Sequence, residues 1–363
     1  MNANVKPSKS SKKGEYNKAF CCSLPVVPDR KLDENINTNR ESLIRYIEKK
    51  WVNHTVLHYH FLEAPAEWRG GDSQKRVVRE SFKKWKDLGI GLQFKEVDNS
   101  ADAEIRIAFE PGESWSYVGR DAIDLVQDPN DRTMNFGWDL TTPYGRDTAL
   151  HEIGHALGFP HEHQNPNAGI VWNEEAVYSY FSGAPNYWGR DKAFYNVIRK
   201  ISPTAVQGSQ WDKNSIMHYQ FPSGLIVIPE RYQNQSLIPE VGLSNMDIEE
   251  VRKFYPEDTE QQMPELKPYL SQLVQINSGE QLDFVIQPRV SRKYTIQSFG
   301  NMDTVMVLFE DVDGEPVYLS GDDDSATNFN ARIEMRLMRG RTYYFRLRLY
   351  YADATGQGAV MLW

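Results

Sequence analysis

The stretch HEIGHALGFPHE, residues 151–162, decides how the whole sequence is interpreted. His151 and His155 are four residues apart, so on a helix they lie one turn apart on the same face and can bind one metal ion. Glu152 points to another side of that helix, where a carboxylate can bind the water that the metal holds. The stretch therefore predicts a metal site with a general base beside it.

Gly158 and His161 extend this pattern. Glycine adopts the positive φ that ends a helix sharply, which would bring His161 round as a third ligand. Three neutral imidazoles suit zinc and leave a coordination position for water, whereas structural zinc sites usually have four protein ligands, commonly including cysteine. An ordinary amphipathic helix can also contain the HExxH pattern, but Gly158 and His161 in register favour the metal site. One catalytic Zn2+ ion is therefore predicted.

The motif HEIGHALGFPHE resembles the extended HExxHxxGFxHE signature of the astacin branch of the metzincin metallopeptidases, and SIMHY at residues 215–219 resembles the Met-turn of that family. The resemblance implies that Glu152 is the catalytic base and that Met217 lies beneath the metal. It implies that Tyr219 is an additional zinc ligand at rest and swings to support the oxyanion. Glu162 matches the position whose carboxylate pairs with the mature amino terminus.

Each of these last three residues has a simpler interpretation from its type alone. Met217 would fill the core, Tyr219 would be a packed aromatic and Glu162 a solvated surface charge. Only the register shared with the histidine motif favours the functional roles.

Composition along the chain divides it into four parts. Residues 1–40 are rich in Lys, Ser, Asn and Pro without apolar periodicity, which predicts a flexible leader or pro-segment. The predicted fold class is α+β for residues 41–258, a mixed twisted sheet with the active-site helix. A proline-rich, acidic linker is expected at 259–268. Short alternating runs over 269–363 predict an all-β sandwich, and this part resembles pre-peptidase C-terminal domains.

Local patterns predict the elements of the larger domain. Helices are expected around residues 43–47, from Asp72 or Ser73, over TALHEIGHALGF, and after a capping box formed by Ser244 with Asp247. Strands are expected in HTVLHYHF, LQFKEV and AEIRIAF. By the resemblance, AEIRIAF would be the sheet edge that receives the substrate backbone.

The overall charge and hydropathy exclude some classes of function. The formal net charge of -9 argues against a nucleic-acid binder. No apolar run is long enough for a transmembrane segment, and the start MNANVKPSKSSKK shows no secretory signal peptide. The resemblance nevertheless favours a secreted protein.

Cys21 and Cys22 are the two cysteines, and because they are adjacent they can staple no long loop within the chain. The leader lacks the FxGD-like aspartate switch of the family. Cys21 or Cys22 could instead block the zinc as a thiolate, although cysteines in a flexible tail more often have no structural role.

An acidic turn at Asp322, Asp323 and Asp324 could bind Ca2+ through carboxylate oxygens. The alternative is that these side chains are simply solvated.

Together these features predict a zinc-dependent endopeptidase that acts on protein or peptide substrates by a zinc-activated water and the base Glu152. The main alternative is a non-catalytic zinc-binding or adhesion module that retains the protease scaffold, and the presence of Glu152 and Tyr219 argues against it. An exopeptidase is less favoured, because no charged residue can be assigned to binding a chain terminus.

Overall fold

The fold is known from a computed structural model. It describes residues 21–27, 49–51, 53–201, 210–257, 263–277, 279–312, 315–351 and 354–363. The helix expected around residues 43–47 and most of the leader lie outside these ranges. The predicted domain boundaries remain predictions.

A twisted five-stranded sheet forms one layer of the first domain. Its strands are β1 (Val56–Phe61), β2 (Gln93–Glu96), β3 (Ile105–Ala108), β4 (Trp115–Ser116) and β5 (Met134–Asn135). Their order across the sheet is β2-β1-β3-β5-β4, with only β4 antiparallel to its neighbour. The three strands predicted from HTVLHYHF, LQFKEV and AEIRIAF are therefore confirmed.

The prediction that AEIRIAF is the sheet edge is wrong. This segment forms β3, which is hydrogen-bonded on both sides and has all four residues buried. Even the Arg106 side chain is buried, where it donates to the backbone carbonyls of Asp131 at 2.7 Å and Val126 at 2.7 Å. Alternation of residue types cannot reveal strand order, and the edge near the histidines is β4.

Six helices and a π-helical turn are present in the described residues. They are α1 (Asp72–Lys86), α2 (Asp121–Asp124), α3 (Pro143–Ala156), α4 (Glu174–Ser182), α5 (Arg190–Ala193), the π-helix Phe194–Ile198 and α6 (Asn245–Phe254). Short 3-10 turns lie at Ala66–Trp68, Ser100–Asp102, Glu162–Gln164, Pro166–Ala168, Glu230–Gln233 and Thr327–Phe329.

The helix α1 couples the sheet to α3. Its Phe82 ring stacks on Tyr59 of β1, with the centroids 4.3 Å apart. Its Trp85 indole N–H donates to the backbone carbonyl of Leu150 in α3 at 3.1 Å. Because these aromatic rings are almost fully buried, they fix the position of α3 against the sheet.

A second, smaller core lies on the other side of the histidines. It is built from α4, α5, the π-helix and a two-stranded antiparallel sheet of β6 (Val171–Trp172) and β7 (Ile226–Ile228). The described leader residues Cys21 and Cys22 are buried in this core. The cleft between the two cores contains the histidine motif.

The C-terminal part is an all-β sandwich, as predicted. Its strands are β8 (Ser271–Ile276), β9 (Gln281–Ile286), β10 (Arg292–Gly300), β11 (Thr304–Val312), β12 (Glu315–Asp322), β13 (Arg332–Leu337), β14 (Tyr343–Leu349) and β15 (Gly356–Leu362). They form two antiparallel sheets, β13-β10-β15-β8 and β12-β11-β14-β9, which share one apolar core. The combined α+β and all-β class is thus confirmed.

Arg346 of β14 joins the sandwich to the first domain. Its guanidinium donates to the backbone carbonyl of Asn53 at 2.8 Å. Asp283 of β9 lies 3.7 Å from the same guanidinium and 3.8 Å from His54. Since Arg346 is buried, these polar contacts are largely shielded from water.

None of the helices described is both long and apolar enough to span a bilayer.

Replacement of Arg346 by methionine should destabilise the protein through this contact. Met keeps most of the apolar stem but leaves the buried Asn53 carbonyl without its donor, so the free energy of unfolding should fall by about 1–3 kcal/mol. Urea denaturation of the full chain measures the change. Arg336→Met, at an exposed position of the same sandwich, is the matched control, and an equal loss in both variants would contradict the prediction.

Candidate metal centre

The helix α3 presents His151, Glu152 and His155 to the cleft. It begins at Pro143, five residues before the predicted start, because Thr142 caps it by accepting a hydrogen bond from the Gly145 N–H. All three functional side chains are buried. Histidines four residues apart therefore lie on one face, as expected from helical geometry.

Gly158 ends this helical segment in the predicted manner. Its φ is +100°, a conformation that side chains with a Cβ rarely adopt. The chain then reverses, so that His161 returns to α3 and its ring lies 4.7 Å from that of His155.

Three histidines and Cys22 converge on one point. One ligand atom from each of His151, His155, His161 and Cys22 lies within 4.8 Å of all the others. The Cys22 Sγ is 3.0 Å from His151 Nε2, 3.7 Å from His155 Nε2 and 3.0 Å from His161 Nε2. Zinc bond lengths of about 2.0–2.3 Å place tetrahedral ligand atoms roughly 3.3–3.6 Å apart, which is close to this spacing.

Backbone carbonyls orient two of the imidazoles. His151 Nδ1 lies 2.7 Å from the Ile216 carbonyl, and His155 Nδ1 lies 2.7 Å from the Phe159 carbonyl. A proton on each Nδ1 leaves the Nε2 lone pair free for a metal. Burial lowers the pKa of His151 to about 4 and the pKa of His155 well below its usual value, which favours neutral rings.

Glu152 is a fully buried carboxylate beside the three imidazoles. Neither of its oxygens has a hydrogen-bond partner in the part of the chain that the structure describes. Burial raises the pKa of Glu152 well above its ordinary value. Such a group requires a proton or a nearby cation, and the three neutral imidazoles next to it are suited to hold a cation.

Met217 packs against α3 at Gly154, which lies between His151 and His155 in the sequence. A Cβ added at Gly154 would lie only 2.4 Å from the Met217 sulfur, so the close approach requires glycine there. The Met217 carbonyl also accepts a hydrogen bond from the Glu162 N–H at 2.9 Å. The methionine turn thus contacts both the helix and the segment that carries His161.

Asp247 fixes the same turn from α6. The predicted capping box with Ser244 is confirmed, but this carboxylate also accepts from the Ser215 hydroxyl at 2.6 Å and from the Ile216 N–H at 2.8 Å. The local pattern predicted only the helix cap and contained no indication of this second role. Because the Ile216 carbonyl orients His151, Asp247 supports a metal ligand indirectly.

Tyr219 is buried, and its hydroxyl lies beside Cys22 at the group of three histidines. Its ring centroid is 4.4 Å from that of His161, and its hydroxyl lies 3.4 Å from Cys22 Sγ. The hydroxyl donates a hydrogen bond to the backbone carbonyl of Cys22. Tyr219 therefore already binds a peptide carbonyl next to the three histidines.

Glu162 is mostly buried, so its interpretation as a solvated charge is wrong. It accepts hydrogen bonds from the Asp212 N–H at 2.9 Å and the Asn165 side chain at 3.1 Å. Burial raises its pKa to about 7. Its pairing with a mature amino terminus remains a prediction.

The leader crosses the metal centre and is bound through its backbone. The Cys21 N–H donates to the Asn186 side chain at 2.9 Å, and the Leu24 N–H donates to the Asn196 side chain at 2.8 Å. Between them, the Ser23 N–H donates to the Ser114 carbonyl, next to β4, at 3.1 Å. Asn186 and Asn196 belong to no sequence motif, so the sequence did not predict that they bind the leader backbone.

In the acidic turn of the sandwich, the Asp322 side chain accepts hydrogen bonds from nearby backbone N–H groups. Asp322 accepts hydrogen bonds from the Ser325 N–H at 3.1 Å and the Arg332 N–H at 2.7 Å. Among the described residues, only the group of Cys22 with the three histidines has metal-ligand spacing. Calcium binding at Asp322, Asp323 and Asp324 stays a prediction.

Comparison with known proteins gives a consistent result. The model of the Astacin peptidase family matches residues 43–256. The zinc metalloproteinase nas-26 of Caenorhabditis elegans is 32% identical over 174 residues, 45% of this chain and 37% of that protein. Bone morphogenetic protein 1 of Xenopus laevis is 26% identical over 194 residues, 50% of this chain and 24% of that protein. This chain thus spans only 24% to 37% of the length of these two relatives.

A solved structure of myroilysin is similar to part of this chain. It superposes with a TM-score of 0.52 at 32% sequence identity, covering 59% of this chain and 98% of that one.

Loss of the Asp247 carboxylate should weaken both the fold and the metal centre. Asp247→Ala leaves the Ser215 hydroxyl and the Ile216 N–H without an acceptor, so unfolding should become easier by about 2–3 kcal/mol. Zinc affinity should fall on the order of tenfold as His151 loses its fixed orientation. Urea denaturation and competition with a zinc chelator measure these changes.

The control is Glu249→Ala, which removes an exposed carboxylate from the same helix. The proposed role of Asp247 is refuted if its replacement changes stability and zinc affinity no more than that control does.

Proposed function

Because this chain belongs to the astacin family of peptidases, we propose that it is a zinc-dependent endopeptidase hydrolysing peptide bonds within proteins. The observation that carries the proposal is the convergence of three imidazole nitrogens and the Cys22 sulfur within 4.8 Å, next to the buried and unpartnered Glu152.

The donor set fits zinc. Neutral imidazoles and a thiolate are preferred zinc ligands, and their spacing here suits tetrahedral coordination. His151, His155 and His161 would hold the ion. When bound, zinc would acidify a water molecule and polarise the scissile carbonyl.

Glu152 would move the proton. Both its oxygens lack partners in the described residues, so they are free to accept a proton from the attacking water. Its place on α3, directly after His151, would keep the carboxylate beside that water. The same carboxyl would then pass the proton to the leaving amine.

Tyr219 would stabilise the oxyanion. The support for this role is its hydrogen bond to the Cys22 carbonyl, because a scissile peptide carbonyl is the same chemical group. A substrate that replaced the leader would present its carbonyl to the same hydroxyl. A phenol that donates to the developing negative charge lowers the barrier selectively.

Cys22 would keep the enzyme latent. Its sulfur lies 3.0 Å from both His151 Nε2 and His161 Nε2, so with a bound zinc ion it would take the place that a catalytic centre leaves for water. Hydrogen bonds to Asn186, Ser114 and Asn196 hold the leader in place on both sides of that sulfur. Displacement of residues 21–24 would therefore open the site to water and substrate.

The non-catalytic module is less well supported. A binding scaffold needs neither a carboxylate without partners at the metal nor a hydroxyl directed at a peptide carbonyl, and both are present. Secretion and the absence of nucleic-acid binding stay predictions.

Glu152→Gln should abolish hydrolysis without removing the metal. In a Cys22→Ala background, the variant should lose about 10³-fold in kcat/KM on a casein-derived peptide, since the amide cannot accept the proton. Zinc content measured by atomic absorption should stay at one ion per chain, because the three histidines remain. Glu249→Gln is the control, and comparable activity of Glu152→Gln and this control would refute the mechanism.

Cys22→Ala should release latency. The full-length variant loaded with zinc should cleave the peptide at once, whereas the unmodified chain and Cys21→Ala should be nearly inactive. Cobalt(II) substituted for zinc gives a second readout, because a cobalt–thiolate bond absorbs strongly in the near ultraviolet. That absorption should be present in the unmodified chain and in Cys21→Ala and absent from Cys22→Ala.

Latency in the Cys22→Ala chain equal to that of the unmodified protein, or a cobalt spectrum without thiolate absorption in any form, would rule out the cysteine ligand.

A further inference from the structure

A cavity of about 220 Å3 adjoins the metal centre. His151, Glu152 and Tyr219 form part of its wall, and Cys21 and Cys22 of the leader border it. A peptide bond held at these residues would place one of its two flanking side chains in this space. Cys21 and Cys22, the described leader residues at this cavity, line it without filling it.

The remaining walls are mainly apolar. Their apolar part includes Trp138, Pro143, Tyr144, Ile216, Ile238 and Val241. The polar residues Ser215, His218 and Gln220 also line the cavity. Trp138 stacks on Tyr144 with the ring centroids 6.1 Å apart, which gives the cavity a rigid aromatic side.

The hydroxyl of Thr148 in this wall is already satisfied. It donates to the Tyr144 carbonyl at 3.0 Å and accepts from the Trp138 indole N–H at 3.1 Å. The wall therefore does not require a polar ligand group at this point.

Three apolar side chains surround the mouth and are exposed. Tyr144, Ile238 and Val241 are 42%, 52% and 80% exposed, respectively. Single exposed apolar residues are ordinary, but a group around one opening beside a reactive centre indicates a binding surface. An apolar side chain of a ligand would remove these three side chains from water, and this burial of apolar surface would favour binding.

The charges around the cavity are of one sign. Asp147 and Glu240 line it, and the described lining residues include no Lys or Arg. Both carboxylates have local donors, the Gly242 N–H at 3.1 Å and the Asn214 side chain at 2.9 Å. An acidic substrate side chain would meet like charge without a compensating cation in the cavity wall.

We infer that this cavity is a specificity pocket that selects a large apolar or aromatic side chain at one of the two residues flanking the scissile bond. Its size agrees, because a cavity of roughly 150 Å3 accommodates benzene. The inference rests on the proposed function and specifies its substrate class as proteins cleaved beside Phe, Tyr, Leu or Met.

The first test maps cleavage sites. The full-length Cys22→Ala chain, loaded with zinc, is incubated with a peptide library, and both positions flanking each cut are read by mass spectrometry. One position should favour Phe, Tyr, Leu and Met over Asp and Glu on the order of tenfold to a hundredfold in kcat/KM, the range expected for burial of such side chains.

The second test changes the charge at the mouth. Val241→Lys introduces a cation at an exposed position, so the Phe-to-Asp ratio of kcat/KM for two otherwise identical peptides should fall on the order of tenfold. Leu273→Lys makes the same change at a residue of the sandwich that is 81% exposed, and its ratio should not change.

A binding measurement separates recognition from chemistry. In the Cys22→Ala, Glu152→Gln chain, titration calorimetry should give a lower Kd for the Phe peptide than for the Asp peptide, and Val241→Lys should reduce the difference.

The outcomes distinguish the two proposals. Absence of all cleavage by zinc-loaded Cys22→Ala would contradict the proposed function. Cleavage with an acidic preference, with no preference at either flanking position, or with a ratio unaffected by Val241→Lys would overturn the specificity pocket alone.

Discussion

The whole active-site architecture depends on holding three neutral imidazoles at one buried point. Imidazoles that lose water without a hydrogen-bond partner are costly to bury. Burial, and to a lesser extent the neighbouring imidazoles, lowers the pKa of His155 and of His161 well below the usual value. The carbonyls of Ile216 and Phe159 reduce this cost by binding the outward nitrogens of His151 and His155. The inward nitrogens are left for a cation, which would also compensate the buried Glu152. The three imidazole nitrogens and the buried carboxylate together favour binding of one divalent cation.

The surrounding fold fixes this point from several independent directions. Trp85 of α1 positions α3 against the sheet, and Gly154 lets Met217 approach α3 more closely than any larger residue would. Asp247 binds the backbone of the same methionine turn from α6. Each contact is made by a residue distant in sequence from the histidines, so a small shift in any of these elements would be transmitted to a metal ligand.

The described leader residues cover the point at which the three imidazole nitrogens converge. Cys22 supplies sulfur where water would otherwise stand, while its carbonyl is bound by Tyr219, the residue that we propose stabilises the oxyanion. Under the proposed function, the same residues would therefore serve both latency and catalysis. The described leader residues Cys21 and Cys22 line the neighbouring cavity without filling it, which is consistent with a pocket for a larger substrate side chain.

Sequence alone determined the parts that depend on local spacing. The four-residue interval of His151 and His155, the helix stop at Gly158, the capping box at Ser244 and the alternating strands of the sandwich all follow from helix and strand periodicity. Tertiary structure decided what depends on contacts between distant segments. Examples are the placement of Cys22 at the histidines and the Asn186 and Asn196 side chains that accept hydrogen bonds from the leader backbone. The interior position of β3 and the hydrogen bonds of Asp247 to the methionine turn are further examples. No periodicity encodes them, because each joins residues whose separation along the chain carries no information about their separation in space.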